Sequence, residues 1–503
     1  MIGKSLRPLP AGEFDDRRAR HLLNRAGFGG TPSQVRALAD MGLRRAVDYL
    51  VDYEKIDAPQ VRVDQFDKDI MQPLARDQRQ ALRRARQTAD EATLEQFRQL
   101  RQSAQQADRR QIGDIQRWWL ARMIETSRPL QEKMTLFWHG HFATGYRAIE
   151  DSYHMFVQNQ LFRYHAVGSF RALAHAIIRD PAMIAYLNNN QNRKEAPNEN
   201  LARELMELFT LGEGNDYTES DIKHGARALT GYTYRDDEFI NFQSPQYQRL
   251  HDHSLKRILG KSGNWDGDDF VQIILTRPVV SRFICWKLYR YFVNNLPGVP
   301  QKPAQQFISD LAKVLRDRNY HLKPVLKALF KSAHFYDSAN IASQIKSPIQ
   351  LIVGAIRSLQ VPPRNLSVLL SAAELMGQNL FYPPSVKGWE GGRAWLNTST
   401  LFVRQNLMIY LLTGRRPDTH AWQSDGPTYD PMHLIEHLRS PQGMVKPRDA
   451  VTHLLRVNLA SPPHPSRLDV LVRFAESGGG TLDKAMLVAL LSLITATPEY
   501  QLC

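Results

Sequence analysis

The stretch DDFVQIILTRPVVSRFICWKLYRYFV (268–293), followed by PAQQFISDLAKVLRDRNYHLKPVLKALFKSAHFY (303–336), decides the fold. Apolar residues return every three or four positions throughout it, the period of helices buried along one face. SPIQLIVGAIRSLQV (347–361) and LDKAMLVALLSLITATPEY (482–500) carry the same signature. Val/Ile-rich alternating runs bounded by turn residues, the mark of strands, are scarce. The chain therefore reads as all-α.

Working outward, residues 15–57 read as two amphipathic helices broken at AGFGGTP, where Gly27, Gly29, Gly30 and Pro32 enforce a turn. Residues 74–112 hold no Gly and no Pro and are dense in Arg, Gln, Asp, Glu and Ala, so they form one long helix or a helical hairpin. A helix is expected over 129–139, with Pro129 in its first turn. Two more follow within 150–187. The segment 232–265 mixes aromatic and polar residues and suits a short hairpin. No linker interrupts the pattern. The expectation is one domain over 1–503 with one large core, and a charged helical hairpin over 64–117 projecting from it.

Composition narrows the function. The 503 residues are 43% hydrophobic and 23% charged, which excludes a disordered or collagen-like chain. Two cysteines, Cys285 and Cys503, cannot build a disulfide framework or a Cys-rich metal site. No apolar run reaches the length of a membrane span, and the N-terminus lacks an apolar signal core; the simplest reading is cytoplasmic. GxxxxGK[ST], GxGxxG, GxSxG and HExxH are absent. Lys+Arg 65 against Asp+Glu 51 gives +14, which favours an anionic partner. Twelve Arg against seven Asp/Glu lie between Arg76 and Arg128, most simply a solvated helix laced with ion pairs.

Four segments could carry chemistry. In FWHGHF, His139 and His141 sit two apart; on a helix they are ~200° apart and cannot share a ligand. The helix from Pro129 is expected to end at His139, with Gly140 as its cap, so the pair is either cap and core or a metal or acid–base element. PNENLARELMELFTLGEG places Asn200, Arg203, Glu204 and Glu207 on a narrow polar stripe of an amphipathic helix. That stripe is a solvated face or a cleft wall, with Glu204 and Glu207 as metal ligands or base and orienter and Arg203 as an anion clamp. HDHSLKRILG offers His251, Asp252 and His253 on a loop. LFYPPSVKGWEGGRAWLN (380–397) is a long aromatic loop, a core wedge or a binding-site lid, in which Lys387 and Arg393 suit an anionic ligand.

These segments resemble a known family. RHLLNRAGFGGTP (20–32), KMTLFWHGHFAT (133–144), NENLARELMELFTLG (198–212), YTESDIKHGARALTGY (217–232), HDHSLKRILG (251–260), SRFICWKLYRYFV (281–293), KSPIQLIVGAIRSL (346–359), MGQNLFYPPSVKGWEGGRAWLN (376–397) and TPEYQLC (497–503) occur in the order seen in bacterial domain-of-unknown-function family 1800. The family's activity is not established. The resemblance implies that its hallmark segments act as one site, which here comprises His139, His141, Asn198, Glu199, Asn200, Arg203, Glu204, Glu207, His251, Asp252, Lys387, Gly388 and Trp389. It also implies export, often by the twin-arginine route, and a neighbouring protein that looks like phosphatases and sulfatases. This chain shows no signal, and its Arg/Gln-rich hairpin departs from the pattern.

Two expectations follow. In the first, His139, His141, Glu204, Glu207, His251 and Asp252 converge on a divalent cation, Arg203, Lys387 and Arg393 hold an anionic substrate, and metal-activated water hydrolyses it; oxygen chemistry would use similar ligands. In the second, the polar stripe and aromatic loop form a non-enzymatic groove for a partner protein or polymer. Nucleic acid ranks below both, since no reading module is present.

Overall fold

The computed structural model describes residues 4–59, 62–235, 238–239, 244–295, 302–362, 364–417, 422–477 and 482–503. Among them the chain is a succession of α-helices with three two-stranded antiparallel hairpins. The first group is α1 (Asp16–Ala26), α2 (Pro32–Val51), α3 (Arg76–Thr88), α4 (Glu91–Glu125), α5 (Pro129–His141), α6 (Tyr146–Ile149), α7 (Ser152–Tyr164), α8 (Phe170–Ile177) and α9 (Pro181–Tyr186). The second is α10 (Asn200–Glu204), α11 (Glu219–Ala228), α12 (Pro245–Leu250), α13 (Gly267–Leu275), α14 (Pro278–Phe292), α15 (Lys302–Asp317) and α16 (Leu322–Lys331). The third is α17 (Pro348–Leu359), α18 (Leu366–Leu375), α19 (Thr398–Thr413), α20 (Pro447–Asn458), α21 (Pro465–Glu476) and α22 (Lys484–Thr495).

The starts of these helices are written locally. Thr31 and Gln34 close a capping box ahead of Pro32, Thr218 and Asp221 do the same for α11, and Asp266 and Asp269 for α13. Each satisfies backbone N–H groups that the first turn leaves without partners. Helices α14 and α15 pack on each other, burying Val280, Ile284, Leu288 and Phe292 on one and Phe307, Ile308, Leu311 and Leu315 on the other.

The expected single core falls instead into two apolar clusters. One gathers α1, α2, α8, α10, α11 and α13 to α16. The other gathers α17 to α22 with the C-terminal half of α4. Helix α5 stands between them: Leu130, Met134, Phe137 and Trp138 belong to the first, Leu136 to the second. Apolar residues around most of a helix mark one buried on several sides. Its buried end is pinned by Glu132, which accepts from Trp119 Nε1 (3.0 Å), Arg122 Nε (2.6 Å) and both Arg163 Nε and an Arg163 terminal nitrogen (2.8 and 2.9 Å).

The charged hairpin is present as α3 and α4, which pack on each other. Its Arg98 pairs with Glu91 and Glu95. Helix α4 does not stop near residue 117, however. It runs to Glu125, and from Asp108 onward Ile112, Ile115, Trp119, Leu120 and Met123 are buried. The segment 150–187 holds three helices rather than two, because Asp180 and Pro181 start a short extra one. Within 232–265, strands Lys256–Ile258 and Lys261–Gly263 form the expected hairpin, and Tyr234–Arg235 pairs with Glu238–Phe239. Among the described residues no helix is long and apolar enough to cross a membrane.

Candidate functional site

Helix α5 continues to His141, two residues beyond the expected stop, with Gly140 inside it. The two histidines consequently leave on different sides, as their helical spacing requires. The His139 ring lies among Trp119, Phe381 and Trp389, with ring centroids 5.3, 5.2 and 5.6 Å away. Its Nε2 accepts the Phe381 backbone N–H at 3.0 Å, so the ring is neutral with its proton on Nδ1. The His141 ring faces Phe137, Phe142, Phe209 and Phe283. Its Nε2 is 3.0 Å from the Phe209 carbonyl and donates to it, which leaves a lone pair on a buried Nδ1 that has no partner among the described residues. Burial pushes both histidines down to about 3; at His141 the Lys287 charge adds to this.

His139 is thus a fastener for the aromatic loop. Phe381 has φ +65°, a left-handed conformation that costs a non-glycine residue energy. Its N–H goes to His139 and its carbonyl accepts from Tyr146 N at 2.9 Å. Further along, Gly388 (φ +73°) lies flat on α5: a Cβ there would sit 2.1 Å from the Gly140 carbonyl oxygen. Only glycine permits both the dihedral and the approach. Arg290 ties the far end, donating from Nε to Asn295 Oδ1 at 2.7 Å, and Asn295 in turn packs on Gly391 and Gly392.

Helix α10 is also shorter than the amphipathic pattern suggests. It gives way to a π-turn over Leu205–Thr210, closed by Leu211 N to Met206 O at 2.8 Å. Such turns are rare and frequent at functional sites. Arg203 binds Glu219 with two nitrogens at 2.8 Å each and also reaches Glu199 (3.0 Å) and Glu207 (3.4 Å). It is therefore occupied by carboxylates rather than free for an anion. Asn198 accepts from Asn200 N and donates its own N–H to Asn192, building the turn into α10. Glu204 is half-buried, and burial together with Glu207 pushes its carboxyl up.

Between the loop, the π-turn and α14 lies a cleft of about 1470 Å³. Of the expected residues it brings together His141, Glu207, Lys387, Gly388, Trp389 and Arg393. Asn198, Glu199, Asn200, Arg203, Glu204 and His139 stand outside its lining. His251 and Asp252 are elsewhere: His251 bonds the Thr230 carbonyl (2.8 Å) and stacks on Tyr247, and Asp252 pairs with Arg227 (2.7 Å). None of these partners lines the cleft. The six residues expected around one cation are therefore not gathered. Among the described residues no group of three or more His, Cys, Asp or Glu is placed to hold a metal ion.

The residues missed in the sequence are on α14. Phe283, Trp286, Lys287 and Arg290 all line the cleft. They fall within a roughly 100° arc of the helix, opposite the apolar stripe that makes the core. Lys287 Nζ lies 5.3 Å from the Phe283 ring centre and 5.7 Å from that of Trp286, and the Arg290 guanidinium lies 5.0 Å from that of Trp286. Neither cation is in an ion pair within 4.0 Å of a described carboxylate. Burial, and then the charge of Arg290, push Lys287 down to about 8. Lys387 at the rim is bonded to Glu213 at 2.6 Å.

The profile of a family described as "Protein of unknown function (DUF1800)" matches residues 21–502. The chain belongs to that family. No curated protein and no solved structure matches it. Family membership covers every element of the cleft, so the loop, the π-turn and α14 are parts of one family domain.

Proposed function

We propose that this cleft binds an anionic ligand with a flat or ring-shaped body, and that this binding is the protein's primary act. The observation that carries the reading is the pair Lys287 and Arg290. Both face the cleft over aromatic rings, and neither has a carboxylate partner among the described residues. A partly buried cation without a counter-ion is costly, and an anion arriving from solution relieves that cost. The rings of Trp286, Trp389 and Trp395 supply flat apolar surface beside these charges. Cations Arg282, Lys287, Arg290, Lys387 and Arg393 outnumber carboxylates Glu207, Glu213 and Glu390 in the lining. The same balance disfavours a bound metal cation, so the binding reading stands ahead of the metal-hydrolase one.

The test is calorimetric titration of the full chain with a heparin tetrasaccharide, with maltotetraose as the uncharged control. The expected result is saturable binding of the first alone, weakened at least about tenfold in Lys287→Met/Arg290→Met. Equal binding by that variant moves the anion to another basic surface, such as the α3–α4 hairpin, and ends the proposal. An Arg101→Gln/Arg109→Gln variant of the hairpin should bind as the wild type does.

A further inference from the structure

Behind the cleft lies a narrower chamber of about 170 Å³. It runs along one face of α5, touching Lys133, Leu136, Phe137, Gly140 and His141. The helical rise separates the Cα atoms of Lys133 and His141 by ~12 Å. His141 lines both cavities and Lys133 only the inner one, so Lys133 marks the end remote from the mouth. Leu136, Phe137, Tyr291, Ile345, Trp389 and Trp395 give the wall between its apolar and aromatic surface, alongside polar residues and the cations Lys287 and Arg290, which line the cleft as well.

Lys133 is only 3% exposed, yet no described carboxylate stands within 4.0 Å of it. Among the described residues its Nζ donates once, to Gln350 Oε1 at 2.8 Å, and it lies 5.1 Å from the Phe28 ring centre and 5.4 Å from that of Tyr291. An ammonium has three donors, so two remain for a ligand. The charged groups that act on it are Arg25 of α1, which disfavours its proton, and Cys503 at the chain end, which favours it.

We propose that the chamber takes a narrow ligand with an apolar chain and a carboxylate or phosphate head, and that Lys133 is the head's counter-ion. This inference rests on the cleft being a ligand site, because the chamber opens onto it. The probes differ, so each can fail alone. A second observation supports it: His141 lines both cavities, and its buried Nδ1 has no hydrogen-bond partner among the described residues, so it is an acceptor suited to a hydroxyl or amide farther along the same ligand. Burial, together with the charge of Arg25, pushes Lys133 down to about 7. An anionic head would draw a proton back onto it.

Octanoate, octyl phosphate and octanol are titrated into the full chain by calorimetry at pH 6.5 and pH 8. Saturable binding of an anionic probe at least about tenfold tighter than octanol is expected. Tighter octanoate assigns a carboxylate head and tighter octyl phosphate a phosphate head; either supports the chamber. Lys133→Met should bind octanol and octanoate alike, while still binding the heparin tetrasaccharide. At pH 8 the wild type should take up protons on binding, read by comparing buffers of different ionisation enthalpy. That measurement decides the matter even if the variant folds poorly. Octanol binding as tightly as octanoate, undiminished octanoate binding by folded Lys133→Met, or no proton uptake with bound octanoate each overturns the proposal, as does failure of every probe to bind.

Discussion

Gly388→Ala tests the loop on which the cleft depends. The wild-type residue has φ +73°, and an L-residue held there costs about 1–2 kcal/mol. The added methyl would also sit 2.1 Å from the Gly140 oxygen and needs at least 3.0 Å, a shift of 0.9 Å. Gly140 is inside α5 and cannot yield, so the loop must lift. Trp389, the next residue, packs on the His139 ring and within 3.8 Å of where a Gly140 Cβ would lie. Loosening that aromatic contact costs about 1 kcal/mol more. The sum is about 2–3 kcal/mol, concentrated on the loop. Gly260→Ala is the control: φ is +83° and nothing lies within 4 Å of its Cβ, so it carries the dihedral cost alone. Urea unfolding should separate the two variants by at least about 1 kcal/mol, and only Gly388→Ala should weaken heparin tetrasaccharide binding. If both variants unfold at the same urea concentration and bind alike, the contact between the loop and α5 does not hold the cleft.

The remaining predictions follow from buried charge. Glu132→Gln leaves Arg122 and Arg163 without their shared carboxylate and should destabilise the chain by about 3–5 kcal/mol in urea. The Lys133 amine is pushed from 10.5 down to about 7, so between those values the unfolded chain holds the extra proton and stability rises with pH. Lys133→Met should flatten that slope and stabilise the protein at pH 7 by at most ~5 kcal/mol, less the cost of stranding Gln350; a slope unchanged in the variant refutes the assignment. His139 and His141 refuse protons down to about 3, so stability should fall below pH 6.5 by about 1.4 kcal/mol per pH unit for each, a loss that His139→Gln/His141→Gln reduces. Metal content by mass spectrometry should not differ between wild type and His139→Ala/His141→Ala, since the two rings diverge; a stoichiometric metal lost from the variant would refute that geometry.

Much of the fold was legible because it is local. The period of 268–336 and the Gly- and Pro-free run at 74–112 each fix a helix through neighbours a few residues away. The site was legible only in part. His141, Glu207, Lys387, Gly388, Trp389 and Arg393 line the cleft, four of them on a loop whose glycine, proline and tryptophan content announces a shaped surface. Lys287 and Arg290 were hidden in a helix whose apolar stripe reads as core, although the opposite face already carried Phe283 and Trp286.

The sequence by itself determined an all-α chain and a net charge suited to anions; that α5 runs on through FWHGHF to His141, past the expected stop at His139, came from the structure. Tertiary structure alone decided which charges are free. Arg203 and Lys287 look alike on a helical wheel, yet Glu199, Glu207 and Glu219 surround the first, and no described carboxylate pairs with the second. It likewise decided that His251 and Asp252 stand apart from His141 and that α5 divides two cores. Helical period is set by contacts within a turn; the pairing of charges is set by residues that only packing brings together.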